Sequence, residues 1–238
     1  MKPTLKYLSI CALIGAAVNL NAQTVTVDPG TLTLGYMNWF NVGGPGYGSA
    51  GAGAYVSGSG WGTSDLVSSF SGTTLTLSPN VIGDASSFWY TPAGGPGAVG
   101  NKIMDANLYN ETTGVYVGQT LNFTGDVLAS SLLTSGNVNS IGNGWTSVAF
   151  IKDFVPNYSS STSVTAPLVN GVFSISMLTS ANPGDHIQFG FETIGPDVWV
   201  TDVAPFGSIT IVPVPEPTTL ALAGLGAVTA LSFIRRRK

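Results

Sequence analysis

The chain has 238 residues, with eight Lys and Arg, twelve Asp and Glu, one His and one Cys, and a formal net charge of −4. Six of the eight bases lie at the two ends, so Gln23 to Val212 holds only Lys102 and Lys152 against eleven acids, a formal charge of −9, with no arginine. Two lysines cannot neutralise a run of phosphates, which argues against nucleic acid and anionic lipid as partners. A single histidine and a single cysteine leave no ligand set for a structural zinc.

At the N-terminus, Lys2 and Lys6 precede the apolar run Tyr7 to Leu20, and Ala22 offers a cleavage point before Gln23. This layout predicts a secretory signal peptide over residues 1–22, read by the Sec machinery and signal peptidase. The run falls short of the roughly 20 apolar residues that a spanning helix needs. Cleavage removes Cys11, so the delivered chain has neither disulfides nor thiolate ligands.

Residues 23–212 are rich in Gly, Ser, Thr, Asn and Val and lack helical periodicity, which predicts one all-β domain of the β-sandwich or jelly-roll type. Strands are expected at Thr31 to Leu34, Thr74 to Leu77, Thr120 to Phe123 and Ser208 to Val212. The clearest alternation is in "VFSISM", with Phe173, Ile175 and Met177 on one face, and in "HIQFGFE", with Ile187, Phe189 and Phe191 on one face. Turns are expected at Ser78 to Asn80, Gly142 to Gly144, Asn170 to Gly171, Asn182 to Asp185 and Gly195 to Asp197. Short helical turns are the alternative at Asp65 to Phe70 and Gly125 to Leu133. The glycine-rich stretch Val42 to Gly62 reads as a surface loop or as a thin strand pair around Tyr55 and Val56. Its G-x-G-x-x-G match at Gly46, Gly48 and Gly51 lacks the following helix that would meet a phosphate.

No constellation for catalysis stands out, and no enzymatic activity and no cofactor are expected. His186, the only histidine, lies six residues from Glu192, about 20 Å along a strand, and reads as a polar residue at a strand start. The acids are scattered, many in turn contexts, and are expected to bond local backbone. A secreted glycan hydrolase would require two of them in one cleft. In "DANLYNE", Asp105 and Asn107 share a strand face and are the weak candidates for calcium, without EF-hand spacing. Five tryptophans lie in the 23–212 span. Trp89 and Tyr90 in "SFWY", and Trp199 in "DVWVTD", are the candidate glycan contacts, on the expectation that one strand face is aromatic and outward; the alternative for each tryptophan is core filling.

The C-terminus, 213–238, begins "PVPEPTT", continues with the fifteen-residue apolar run Leu220 to Ile234, and ends in Arg235, Arg236, Arg237 and Lys238. As a helix the run spans about 22 Å, short of a bilayer core of roughly 30 Å, and the basic cluster would act as a cytoplasmic membrane stop. Pro215-Glu216-Pro217, a short apolar helix and a basic end, beside an N-terminal signal peptide, resemble the PEP-CTERM sorting signal of exported bacterial proteins. The resemblance implies recognition at Pro215, Glu216 and Pro217 by an exosortase, a membrane protease. It also implies transient membrane anchoring and delivery to the cell surface or matrix, in company with exopolysaccharide or biofilm. The expected function is therefore that of a surface or matrix protein, with a carbohydrate-binding module as the first alternative. "GYMNWF", "GNKIMDANLY", "AFIKDF" and "FETIGPDVWVTD" resemble, more loosely, a PEP-CTERM group without an assigned activity.

Overall fold

A computed structural model describes residues 22–43, 52–134 and 144–214. In chain order the strands are β1 (Ala22–Thr26), β2 (Leu34–Val42), β3 (Ala52–Gly60), β4 (Ser68–Ser71), β5 (Thr74–Leu77), β6 (Val81–Ile82), β7 (Tyr90–Thr91) and β8 (Val99–Gly100). They continue with β9 (Lys102–Thr113), β10 (Thr120–Ser130), β11 (Thr146–Phe154), β12 (Ser161–Pro167), β13 (Gly171–Leu178), β14 (His186–Pro196), β15 (Val198–Trp199) and β16 (Ile209–Val212). The fold is all-β, and a 3-10 turn at Ala204–Phe206 leads into β16.

One six-stranded sheet runs β12-β11-β14-β9-β2-β3 and is antiparallel throughout. The other runs β1-β10-β16-β5-β4, with β13 on the opposite side of β10. β1 is parallel to β10 over Thr120 to Thr124, and β16 is antiparallel to it from Asp126 to Ser130, so both lie along one flank of β10.

Side-chain alternation builds the interior. Met104, Ala106 and Leu108 of β9, Ile187, Phe189 and Phe191 of β14, and Ala149 and Ile151 of β11 point inward from the first sheet. Leu121, Phe123 and Val127 of β10 meet them from the second, with Phe173, Ile175 and Met177 of β13 and Ile209 and Ile211 of β16. The Phe123 ring lies 5.4 Å from Phe189 and 5.3 Å from Phe191, which ties the two sheets at their centre. Each such phenylalanine contributes about 1.5–3 kcal/mol through burial.

Alternation therefore carries β13 and β14 as expected, while strand replaces the suggested helical turn from Gly125 to Ser130 and, in Asp65 to Phe70, from Ser68 onward, with Asp65 to Val67 remaining a turn. Gly125 to Ser130 extends β10, because Val127 continues the apolar row of Leu121 and Phe123. Phe70 lies in β4, which follows a turn closed by Asp65 N–H and Leu66 N–H on the Gly62 carbonyl. The expected strand at Thr31 to Leu34 is replaced up to Thr33 by a turn. Asp28 accepts from the Gly30 and Leu32 amides there, through its side chain and its carbonyl respectively. Of Val42 to Gly62, the described residues include the end of β2 at Val42 and an edge strand, β3, that pairs with it, and Gly46, Gly48 and Gly51 lie outside the described residues.

Candidate functional site

The outward face of the first sheet carries a concentration of polar and aromatic groups. On β9 the alternation that sends Met104, Ala106 and Leu108 inward sends Asp105, Asn107, Tyr109 and Glu111 outward. Register then sets Asn38 of β2 opposite Asp105, Tyr36 opposite Asn107, Glu192 of β14 opposite Asn107 and Gln188 opposite Glu111. All of these but Glu192, with Lys152 and Phe154 of β11 and Tyr158 beyond it, line a groove of about 610 Å³.

Asp105 forms its floor and is 1% exposed. Asn38 Nδ2 donates to Asp105 Oδ2 at 3.0 Å, and Asn107 Nδ2 donates to Oδ1 at 2.6 Å. Burial pushes the Asp105 carboxyl up to about 7; the nearby Glu192 charge adds to the rise, while Lys152 and the two amides oppose it. Lys152 Nζ sits 2.7 Å from Glu192 Oε2 and donates to Asn107 Oδ1 at 3.0 Å. The same ammonium lies 4.1 Å from the Phe150 ring centre. Glu192, Lys152, Asn107, Asp105 and Asn38 therefore form one continuous polar chain across four strands. Gly58 of β3 leaves room for it, because a Cβ there would come 2.5 Å from Asn38 Oδ1.

Tyrosines shape the rim. Tyr158 holds a left-handed backbone, φ 56°, which a bulky residue rarely adopts. Its ring stacks on His186 at 4.2 Å and 12°, and its hydroxyl donates to Glu111 Oε1 at 2.8 Å. Burial and the bond to Glu111 push the Tyr158 hydroxyl up to about 12. Gln188 Nε2 donates to the other oxygen of Glu111 at 2.6 Å. Burial and the Glu111 charge also raise Tyr109. The result is a fixed set of carboxylate, amide and phenol groups between aromatic faces, held without loops other than that of Tyr158.

The residues singled out in the sequence fall in different places. Tyr90 is 0% exposed, so the expected outward aromatic face is corrected there. Phe88 and Trp89 lie in a turn and only Tyr90 enters β7, so strand alternation does not apply across "SFWY". The Tyr90 hydroxyl lies 2.6 Å from the Ile82 carbonyl and 2.8 Å from that of Val198, and burial holds its pKa well above the usual phenol range. Trp199 is half-buried and packs edge-on against Tyr90 at 5.5 Å. Trp89 is half-buried in a separate aromatic group with Trp39.

Asp105 and Asn107, the weak candidates for calcium, do share a face. Asn107 turns its amide N–H toward Asp105 and its oxygen toward Lys152. Among the described residues no group of three or more His, Cys, Asp or Glu could hold a metal. His186 serves as the platform for Tyr158. The acids divide: Asp28 and Asp84 bond backbone in turns as expected, whereas Asp105 and Glu111 line the groove. Tyr36, Asn38, Lys152, Tyr158 and Gln188 carried no separate signal in sequence. The outward halves of the β9 and β14 alternation were the cues to the groove.

Pro215, Glu216, Pro217, Arg235, Arg236, Arg237 and Lys238 lie outside the described residues, as do residues 1–21. Among the described residues no helix is long and apolar enough to cross a membrane. Residues 213–238 match the family model of the PEP-CTERM protein-sorting motif. The protein is thus an exported, envelope-associated substrate of exosortase, the membrane protease that processes this signal. No curated protein and no solved structure matches the chain.

Proposed function

We propose that the region 23–212 is a non-catalytic glycan-binding domain of the cell surface or matrix, and that the groove over Asp105 contacts exopolysaccharide. The two sheets sharing one core favour a β-sandwich of the jelly-roll kind, a common frame for such a surface. The carrying observation is the floor carboxylate fixed by Asn38 and Asn107 beneath a rim of Tyr36, Tyr109 and Tyr158. Planar hydrogen-bonding groups locked by their neighbours suit sugar hydroxyls, and tyrosine faces suit the apolar side of a pyranose ring at low entropic cost. Asp105 and Glu111 face the groove with one lysine that Glu192 already neutralises. The expected ligand is a neutral or amine-bearing polysaccharide, and uronate or sulfated chains are disfavoured.

A hydrolytic reading would draw on Asp105, Glu111 and Glu192. Each of these carboxylates is engaged by its own donors: the two asparagines, the Tyr158–Gln188 pair and Lys152. That commitment favours binding over proton transfer.

The test is retention of the full-length chain on immobilised cellulose, chitin, chitosan and alginate, with Tyr36→Ala and Asn38→Ala beside it. Retention on a neutral or amino polysaccharide, lost in both variants, supports the reading. Absence of retention on every glycan, or release of reducing ends during incubation, overturns it.

A further inference from the structure

The geometry points to a second glycan subsite, on the tryptophan pair Trp61 and Trp89, distinct from the groove over Asp105 and taking the same class of ligand. Trp39 of β2 packs against both rings, 6.4 Å from Trp61 and 5.8 Å from Trp89, and the Phe88 ring abuts Trp89 edge-on at 4.7 Å. Both flanking rings are half-buried, so each keeps a part of its surface in the open. They line a shallow depression of about 550 Å³ together with Ser64, Asp65, Gly83 and Asp84. Two fixed aromatic rings with two exposed carboxylates and a hydroxyl reproduce the chemistry of the first groove: apolar planes for pyranose rings and acceptors for their hydroxyls.

The walls are anchored rather than loose. Leu66, just after Asp65, is 1% exposed within the core. Asn80 Nδ2 donates to the Asp65 carbonyl at 2.9 Å, and the turn closes with a non-glycine residue at positive φ, Val67 at 51°. Asp84 Oδ1 accepts from the Ser86 amide at 2.9 Å, which fixes the opposite wall. Pre-ordered aromatic groups of this kind lose little freedom when a ligand arrives. Position on the fold supplies the link between the subsites. Gly60, which lines the second, pairs in register with Tyr36, which lines the first. Paired strands lie about 5 Å apart, so one polysaccharide chain of several sugars can touch both sites around the edge strand β3. Two contacts on one polymer raise its apparent affinity without any new bond.

The inference shares its ligand class with the function proposed above but stands on different residues, and the two are separable. Full-length chain labelled with 5-fluorotryptophan gives one fluorine resonance per tryptophan, with Trp61 and Trp89 assigned through Trp61→Phe and Trp89→Phe. Cellohexaose and the glucosamine hexamer are the probes. Shifts of Trp61 and Trp89 on titration, with Trp145 unmoved as the buried control, are expected. Asp65→Ala, at an exposed side chain outside the core, should weaken the midpoint of those shifts about tenfold, as loss of a hydrogen bond to a charged group does. If polysaccharide retention depends on Tyr36 while Trp61 and Trp89 stay silent, the second subsite is overturned and the groove survives. If the tryptophans respond and Tyr36→Ala retains full binding, the groove reading falls and the subsite stands. Silence of both, with no retention, overturns both.

Discussion

Asn107 Nδ2 lies 2.6 Å from Asp105 Oδ1, two residues earlier on the same outward face of β9, while Asn107 Oδ1 accepts from Lys152. One amide thereby orients a buried acid with one end and a lysine with the other. The polarity of the whole groove depends on that orientation. Asn107→Leu is expected to leave Asp105 short of a donor, to raise its pKa further and to abolish glycan retention. Chemical-shift titration of the Asp105 carboxyl carbon would measure the first effect, and affinity electrophoresis the last.

Asp105 and Asp197 are both pushed up to about 7 in the folded chain, chiefly by burial. A raised folded-state pKa means that the native state holds more protons than the unfolded chain from about pH 4 to pH 7. The contribution of these two groups to stability is therefore expected to be full below about pH 4, to fall as pH rises from there to about 7, and to level above it. Asp197 is 0% exposed and its Oδ2 has no hydrogen-bond partner, while Oδ1 accepts from the Lys102 amide at 3.0 Å. Asp197→Asn keeps that acceptor without the buried charge. It should stabilise by about 1–3 kcal/mol at pH 8, be near neutral at pH 4, and flatten the slope in urea titrations at several pH values.

Gly58→Ala tests the groove without touching the core. Its Cβ would sit 2.5 Å from Asn38 Oδ1 and 3.1 Å from Tyr36 Cε1. Displacement of Asn38 should weaken glycan binding about tenfold, the loss of roughly one hydrogen bond to a charged group. The melting temperature should change little, because Gly58 lies on the edge strand.

Gly195→Ala is the contrasting core probe. Gly195 pairs with Met104 inside β14, and a Cβ would lie 2.0 Å from Cδ1 of Trp145, a ring 1% exposed whose Nε1 donates to the Pro196 carbonyl at 3.2 Å. Overpacking there should cost about 3 kcal/mol, read from urea unfolding followed by tryptophan fluorescence.

Gly195 also shows where the sequence is a poor guide. "GPD" has the composition of a turn, yet Gly195 and Pro196 stay in β14, because the glycine serves a close approach of Trp145 that lies 50 residues away in the chain. β13 and β14 were legible because period-two alternation is local. The floor of the groove was not. Asp105 meets Asn38 across 67 residues and Asn107 meets Lys152 across 45, so no short window contains the polar chain that they form. "SFWY" misled for a related reason: alternation holds only in a strand, and three of its four residues lie in a turn.

Conversion of Pro215-Glu216-Pro217 to alanines is expected to leave precursor in the membrane fraction, judged by immunoblotting of fractionated cells. In the unaltered protein, the intact mass of the delivered form should place its C-terminus beyond Val212. β16 is hydrogen-bonded on both sides, to β10 and to β5, and Ile209 and Ile211 are buried in the core. A cut within it would remove a central strand.

That arrangement has a mechanical side. The described chain leaves the fold along β16, whose hydrogen bonds to both neighbours run across the strand. Any tether attached beyond Val212 pulls along this axis and loads both ladders together, in shear, rather than opening them one bond at a time. If a polymer is held on the other sheet, its load would reach the same strand and be shared by these two ladders.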